Sequence, residues 1–185
     1  MNKRTPAYLV LKSAVLFLSL LCFYPLSATN PQKKEMKELN VKKVSLANVA
    51  VENVPALLDK EKVDFQLINT VNWKAFPYQP EVQFRIAHTD DAILIHYKVK
   101  EASVRAIATG DNGAVWEDAC VEFFSIPAGD GIYYNVECNC VGTLLIGAGG
   151  GRSNREHAPQ EVMDKVQRWS SLGRESFEER VGECS

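Results

Sequence analysis

The chain has 185 residues, of which 46% are hydrophobic and 24% are charged, a composition that predicts one folded domain and excludes a wholly disordered protein. The formal net charge is -2, and the balance becomes more acidic without residues 1–28, which hold three basic groups and no acidic one. A mildly acidic domain lacks the basic stripe that nucleic acid requires, so nucleic acid is not an expected partner.

The first 28 residues have the layout of a secretory signal peptide. Lys3 and Arg4 give a positive start, an apolar run follows over residues 14–23, and Ala28 is a small residue at a cleavage position. The apolar run is too short for a membrane span, which needs about twenty residues. We therefore expect cleavage near Ala28, a secreted or periplasmic protein, and no integral membrane span.

The mature chain is expected to begin with a linker and continue as one domain. Residues 29–40 are polar and charged, which is typical of a linker, and the domain is expected to cover residues 41–185. Residues 41–58 mix Val and Leu with Asn and Pro, and we interpret them as a possible first strand leading into the domain. No internal repeat is present in the sequence.

Alternating runs in the middle of the chain predict a β-hairpin with one buried face. Apolar residues alternate with polar ones over residues 82–86 and again over 93–99, and Thr89-Asp90-Asp91 supplies a turn between them. A third short run, over residues 104–108, ends at a turn signal. These patterns favour an antiparallel sheet.

Several further segments extend the β pattern. Residues 120–126 are apolar at both parities, which predicts a central strand covered on both faces, and residues 132–145 predict one long strand. Residues 147–151 are rich in glycine but lack the features of a phosphate loop, so they predict a flexible loop at a sheet edge. Residues 160–169 fit a short helix or an irregular strand. The fold class expected is an all-β, antiparallel, jelly-roll-like β-sandwich.

Four cysteines follow the expected cleavage site: Cys120, Cys138, Cys140 and Cys184. Cys138 and Cys140 are two residues apart on a predicted strand, near the limit of disulfide reach. Free buried thiols are the expectation, and a pairing of Cys120 with Cys138 or Cys140 stays open. The spacing fits no zinc site.

Two residues near the fifth predicted strand could carry binding chemistry. Trp116 precedes the strand, where an indole face can stack on the apolar C–H patches of a sugar. Glu122 is a carboxylate in an apolar strand, so it needs a cation, a donor network or a ligand. The structural alternative is that Trp116 caps the core and Glu122 pairs with an arginine such as Arg85, Arg105 or Arg152.

The run VWEDACVEFF, followed by YYNVECNCVGTLL, resembles the signature of the family 9 carbohydrate-binding modules and their bacterial relatives. The family commonly carries a Trp-Glu-Asp-Asp-Ser-Val-Glu type motif, and here Ala119 and Cys120 replace its usual residues. The upstream run FRIAHTDDAILIHYKVKE also fits, so the resemblance covers residues 73–172. It implies a β-sandwich, export, and binding of sugars or oligosaccharide ends.

The resemblance also implies roles for individual residues. Trp116 would be one stacking ring and Glu122 a hydroxyl acceptor, with Asn135, Asn139 and Arg152 as further candidates for polar contacts. In the family a second Trp from the C-terminal strands clamps the sugar.

The only late Trp is Trp169, and we do not expect it to replace that second Trp. Residues 182–185 do not predict a final strand, so we expect the chain to stop before those C-terminal strands. Members of the family often hold structural calcium. Asp111, Asp118 and Asp130 are nevertheless expected to be turn residues, and no metal or other cofactor is assigned.

Other functions stay open from the sequence. Related domains occur in glycan-degrading systems, and a glycoside hydrolase would use two carboxylates about 5–9.5 Å apart, for which Glu122 and Glu137 on neighbouring strands are the candidates. A haem-binding sandwich would need an axial pair, and Met36 and Met163 lie in poor positions for it. A plain structural or interaction module is a further alternative.

Trp73 and Tyr78 lie in an entry loop rich in proline. We expect them to fill the core, with a binding platform as the alternative.

Overall fold

The computed structural model describes residues 38–45 and 49–184, and residues 39–185 belong to one compact unit. The expected signal peptide, most of the expected linker and Met36 lie outside the described residues. Nine strands lie in the described part of the chain: β1 (Lys42–Lys43), β2 (Gln66–Ile68), β3 (Glu81–His88), β4 (Ile93–Ala106), β5 (Cys120–Ser125), β6 (Tyr133–Asn139), β7 (Leu144–Gly149), β8 (Glu156–His157) and β9 (Phe177–Cys184).

The strands form two sheets, which confirms the expected β-sandwich. The first sheet has the order β1-β3-β4-β9, and β2 also pairs with β3. The second sheet has the order β5-β6-β7-β8. Every pair is antiparallel except β1 with β3. Two helices, α1 (Val54–Lys60) and α2 (Gln160–Met163), and two single 3₁₀ turns, Val51–Asn53 and Val115–Glu117, complete the described elements.

The predicted hairpin is β3 and β4. Thr89 closes its turn, because its backbone N–H donates to Ala92 O at 2.8 Å and its hydroxyl accepts from Ala92 N at 2.9 Å. The predicted third run is the second half of β4 rather than a separate strand. The first half of β4 pairs with β3 and the second half with β9.

Residues 41–58 contain the short first strand β1, and most of α1, which the sequence interpretation did not include. Pro55 lies in the first turn of α1, where its missing N–H costs nothing. Val54 and Leu58, four residues apart, are buried on one side of the helix and pack against Ala87 and Leu94 of the hairpin. This helix covers the face of the first sheet that also carries Arg85.

Arg85 is buried between α1 and the first sheet, and its partners come from both. Its Nε donates to His96 Nδ1 at 3.1 Å, one Nη donates to Asp59 at 2.5 Å, and the other donates to Pro55 O at 2.9 Å. Its guanidinium carbon also lies 4.4 Å from the centroid of the Phe65 ring. Each nitrogen of the guanidinium therefore has a hydrogen-bond partner, as buried polar groups normally do.

β5 lies at the edge of the second sheet, so its prediction as a central, doubly covered strand was wrong. Within the described residues it pairs only with β6, and Phe124 is 53% exposed. An apolar pattern at both parities shows which residues are hydrophobic but not which neighbours cover them. The other hydrophobic residues of β5 are half-buried.

The predicted long strand over residues 132–145 is two strands, β6 and β7, joined by a tight turn. Asn139 forms this turn, since its Oδ1 accepts from Val141 N at 3.2 Å and Thr143 N at 2.8 Å. Gly142 has φ +81°, a conformation that glycine adopts without strain. The sequence CVGT therefore encodes a reversal that the hydrophobic pattern does not show.

Part of the glycine-rich segment is a strand, which corrects the loop prediction. Gly147 and Gly149 belong to β7, and residues 150–155 return the chain to β8. A Cβ on Gly149 would lie only 2.5 Å from Asn154 O. The returning chain thus comes closer to β7 than a side chain at that position allows.

The C-terminal part of the chain contains one confirmed and one missed element. A short helix, α2, lies in the predicted 160–169 segment and buries Met163 against Leu144 and Ile146. β9 runs to Cys184 and pairs with β4, so the prediction that residues 182–185 belong to no strand was wrong for residues 182–184.

Cys120, Cys138 and Cys140 are free thiols, as expected. Cys120 stands opposite Asn139 and Cys138 opposite Val121, so Cys120 and Cys138 lie on different faces of the sheet and cannot be bridged.

Trp73 is 71% exposed and Tyr78 is also exposed, so the prediction that they fill the core was wrong. Tyr78 instead accepts a hydrogen bond from Ala102 N at 2.9 Å. This bond falls at the irregularity in the β4–β9 pairing between Glu101 and Ser103, where Ala102 has no ladder partner. The loop is therefore attached to β4 through a side chain.

Candidate functional site

The 3₁₀ turn that carries Trp116 is fixed by Asp118, the third residue of the Trp-Glu-Asp motif. The Asp118 carboxylate is fully buried and accepts from Ile107 N at 2.9 Å, from Ala108 N at 3.0 Å and from Asn139 Nδ2 at 2.9 Å. Burial alone would raise the pKa of Asp118, but these hydrogen bonds and the nearby Arg105 bring it below its ordinary value. The turn is therefore attached both to the end of β4 and to the β6–β7 turn.

Trp116 lies in this turn, directly before β5, and its side chain is 56% exposed. The turn contacts β5 and β6. An exposed indole on a turn whose neighbour is held by three hydrogen bonds is a preorganised surface for stacking. The structural alternative, in which Trp116 caps the core, is wrong for a side chain with this exposure.

One face of the second sheet gathers polar side chains, and we call it the polar face: Glu122, Asn135, Glu137 and Arg155. Glu122 stands directly opposite Glu137 in the β5–β6 register, and Asn135 is two residues before Glu137 on the same strand. Cross-strand partners and alternate residues of a strand point to the same side of a sheet. The pairing therefore brings these side chains together.

The centre of the polar face is buried and incompletely hydrogen-bonded. Asn135 is 0% exposed and Glu137 is 5% exposed, and the Asn135 amide donates to Glu137 Oε1 at 2.5 Å. Asn135 Oδ1 and Glu137 Oε2 are buried without a hydrogen-bond partner among the described residues. Buried acceptors without a partner are rare in folded proteins, so these two oxygens set this part of the sheet apart from an ordinary core.

Arg155 and Glu122 complete the polar face at its accessible side. An Nη of Arg155 is 4.0 Å from Glu137 Oε1, and its guanidinium carbon is 5.8 Å from the centroid of the Tyr133 ring. Partial burial and the facing Glu137 carboxylate raise the pKa of Glu122, while Arg155 and Arg152 oppose that increase. Glu122 is therefore an exposed acceptor beside a buried carboxylate.

The residues predicted from the sequence fall into two groups. Glu122 and Asn135 share the polar face, and Arg152 is close enough to influence the pKa of Glu122. Asn139 is buried and uses both ends of its amide in the β6–β7 turn and the bond to Asp118. Its contacts give it a structural role, and the geometry does not support it as a ligand contact.

Two of the three arginines expected as partners of Glu122 are bound elsewhere. Arg85 is bound to Asp59, and Arg105 pairs with Asp118 and donates to Glu117 O. Arg152 and Arg155 lower the pKa of Glu122, so the expected pairing with an arginine persists only as an attraction from these two residues.

Sequence reasoning missed three residues of this region. Arg155 and Tyr133 reach the polar face through strand pairing, and Phe124, with its ring centroid 6.1 Å from that of Tyr133, shares the face of Glu122. Period two along β5 and β6 could have placed Phe124 and Tyr133 on this side. Arg155 follows an unrecognised turn, and no pattern in the sequence indicated it.

Asp111 and Asp118, two of the carboxylates considered for calcium, are bound to N–H donors and do not fit a metal. Asp111 receives two bonds from Arg168, at 2.8 and 2.6 Å, and a third from Leu144 N at 3.0 Å. Asp118 is likewise bonded to N–H donors. Among residues 38–45 and 49–184, no group of three or more His, Cys, Asp or Glu side chains could hold a metal ion.

Comparison with known proteins identifies the family. A family model for carbohydrate-binding family 9 matches residues 52–185. The chain belongs to carbohydrate-binding family 9. None of the curated proteins matches this sequence.

A solved structure supports the same family assignment. The crystal structure of a proposed carbohydrate-binding protein from Bacteroides uniformis is 62% identical and superposes with a TM-score of 0.76. The match covers 79% of this chain and 67% of that one. The resemblance seen in the Trp-Glu-Asp motif is thus confirmed, and the matched region includes α1 and β9 as well as the motif.

The geometry of this family 9 domain does not favour hydrolysis at the Glu122–Glu137 pair. The two carboxylates are on neighbouring strands, as the hydrolase hypothesis required, but Glu137 is buried and paired with Arg155. A general acid and its partner must both reach the scissile bond. Within the described residues, no helix is long and apolar enough to cross a bilayer.

Proposed function

We propose that this chain is an exported carbohydrate-binding module that binds sugars or oligosaccharide ends. Trp116 would stack on the sugar ring, and Glu122 would accept hydrogen bonds from its hydroxyls. The observation that carries the proposal is the exposed Trp116, held on a fixed turn directly before the strand that bears Glu122. Aromatic stacking with a few fixed polar groups is the usual chemistry of such sites.

The proposed cellular location is based on the sequence. The signal-peptide layout of residues 1–28 supports a secreted or periplasmic location, where the module would serve carbohydrate catabolism as part of a larger glycan-degrading system. A non-catalytic role agrees with the burial of Glu137.

The test is a sugar titration of the purified chain followed by tryptophan fluorescence. Xylo-, cello- and manno-oligosaccharides form the panel, and Trp116→Ala is compared with Trp169→Ala, another exposed Trp. We expect a saturable change in the wild type and in Trp169→Ala that disappears in Trp116→Ala. A folded wild-type protein that gives no response to any sugar would contradict the proposal.

A further inference from the structure

We propose that Arg155 is a ligand-binding residue of this site and that the polar face selects uncharged sugars. The proposal rests on the proposed function, and it assigns a role to the glycine-rich strand as well. Three observations carry it: the close approach of the β7–β8 hairpin, the unsatisfied groups on the polar face, and the balance of charge around them.

The glycines of β7 allow Arg155 to lie over the sheet. A Cβ on Gly149 would be 2.5 Å from Asn154 O and 3.0 Å from Arg155 Cα, and a Cβ on Gly147 would touch Arg155 Cβ at 3.4 Å. Neither glycine has a positive φ, so the need is for space rather than for an unusual backbone conformation. A Cβ on Gly150, by contrast, would meet nothing within 4 Å.

The close approach of the β7–β8 hairpin places Arg155 at the polar face, where its guanidinium N–H groups have no hydrogen-bond partner in the described part of the chain. Its side chain is 19% exposed, it lies 4.0 Å from Glu137, and its guanidinium makes no hydrogen bond to any described residue. A guanidinium carries five N–H donors and stays charged at all relevant pH values. A half-buried arginine without hydrogen-bond partners therefore has donors available for a ligand oxygen.

Acceptors on the same face are also unused. Asn135 Oδ1 and Glu137 Oε2 have no partner among the described residues, and Glu122 is exposed beside them. A hydroxyl group both donates and accepts hydrogen bonds, so it can bind to Arg155 and to the exposed Glu122 at once, above the two buried oxygens. A ligand with several neighbouring hydroxyls matches this arrangement.

The charges around the polar face favour the binding of neutral sugars over charged ones. Glu122 and Glu137 contribute two negative charges, and Arg152 and Arg155 contribute two positive charges close to them. A uronic acid would approach two carboxylates and an amino sugar two guanidinium groups, so each gains one attraction and suffers one repulsion. A charged sugar therefore gains no net attraction to offset the cost of removing its charge from water, whereas a neutral sugar has no such cost.

The experiment is calorimetric titration with a neutral sugar from the responding class, the corresponding uronic acid and the corresponding amino sugar. We expect the wild type to bind the neutral sugar roughly ten-fold or more tightly than either charged form. We expect Arg155→Met to weaken the neutral sugar roughly ten-fold, as loss of a hydrogen bond from a charged group does. Lys165→Met, the loss of an exposed positive charge outside the polar face, should change affinity by less than about three-fold.

Two controls separate ligand contact from packing. Deoxy analogues of the sugar should bind the wild type more weakly than the parent sugar does. For the analogue that lacks the hydroxyl bound by Arg155, this difference should disappear in Arg155→Met, because that hydroxyl has no partner in the variant. Gly149→Ala should displace the hairpin and weaken binding, whereas Gly150→Ala should not. If Arg155→Met does not fold, Arg155→Gln, which keeps a polar side chain but removes the charge and shortens the reach, takes its place in the comparison.

The outcomes distinguish this inference from the function on which it rests. A wild-type chain that binds no sugar would overturn both. A wild-type chain that binds sugar with the same affinity as a folded Arg155→Met would overturn only the inference, as would tighter binding of the uronic acid or the amino sugar.

Discussion

Glu122 is the accessible carboxylate of the polar face, and its environment predicts how binding responds to substitution. Glu122→Gln keeps the shape of the side chain but replaces one charged acceptor oxygen by a donor. We expect sugar affinity to fall about ten-fold or more, because hydrogen bonds to charged groups contribute about 1.5–3 kcal/mol. Glu156→Gln on the exposed strand β8 is the control, and equal affinities of the two variants by calorimetry would contradict the assigned role.

The same residue sets a pH dependence for binding. Partial burial and the neighbouring Glu137 raise the pKa of Glu122 above the ordinary 4.5, so the carboxylate takes up a proton at a higher pH than a free carboxyl. The charged acceptor is present above the raised pKa and is lost as pH falls through it. We expect the affinity for a neutral sugar to decline with an onset above pH 4.5, and Glu122→Gln should lose this onset.

Asp118 shows how one motif residue holds several elements together. Asp118→Ala removes a buried carboxylate that accepts three hydrogen bonds and leaves donors from Ile107, Ala108 and Asn139 unpaired. We expect a loss of about 3 kcal/mol in the free energy of unfolding, measured by urea denaturation. Asp130→Ala, which removes one bond in an exposed turn, should cost less than about 1 kcal/mol. Similar losses in the two variants would contradict the structural role of Asp118.

Among the helices and strands, the sequence pattern predicted those that are stabilised by contacts between residues adjacent in the chain. The β3–β4 hairpin was predictable because its alternation and its Thr89 turn are adjacent in the sequence. Helix α1 was not, because it has only seven residues, two of them buried, and its N-cap Asn53 makes no side-chain cap. β9 is a strand through its pairing with distant β4, which no pattern within residues 177–184 reveals.

The part of the candidate site that was predictable from the sequence consists of residues close together in the chain. Trp116 and Glu122 lie within one motif, and Asn135 shares a face with Glu122 once β5 and β6 pair. Arg155 reaches the site because Gly149 leaves room for the returning hairpin. That approach depends on distances between strands, and composition alone suggested a loop.

For the whole molecule, His96 makes stability depend on pH near neutrality. Burial and then the adjacent Arg85 lower the pKa of His96, with Asp59 opposing them and Lys98 adding to them. A histidine whose pKa is lowered by folding is protonated more readily in the unfolded chain. Its contribution to stability is therefore complete above its ordinary pKa of 6.5 and is lost as pH falls from there towards the lowered value.

We expect the free energy of unfolding, measured in urea at a series of pH values, to decrease below pH 6.5 with an uptake of at most one proton. His96→Asn should remove this slope, because the Asn oxygen can replace Nδ1 as the acceptor for Arg85. His157→Asn, which changes an exposed histidine, should keep it. A slope that persists in His96→Asn would contradict the assignment.

The divided pairing of β4 has a consequence for how the chain folds. Its first half pairs with β3 across a short turn. Its second half pairs with β9, and the paired residues Ala106 and Phe177 are roughly seventy residues apart in the sequence. Contacts between residues far apart in the sequence form more slowly than local ones, so we expect the hairpin to form before the second half of β4 pairs with β9. During that interval residues 101–106 present unpaired backbone groups, and a newly made chain is then most prone to associate with its neighbours.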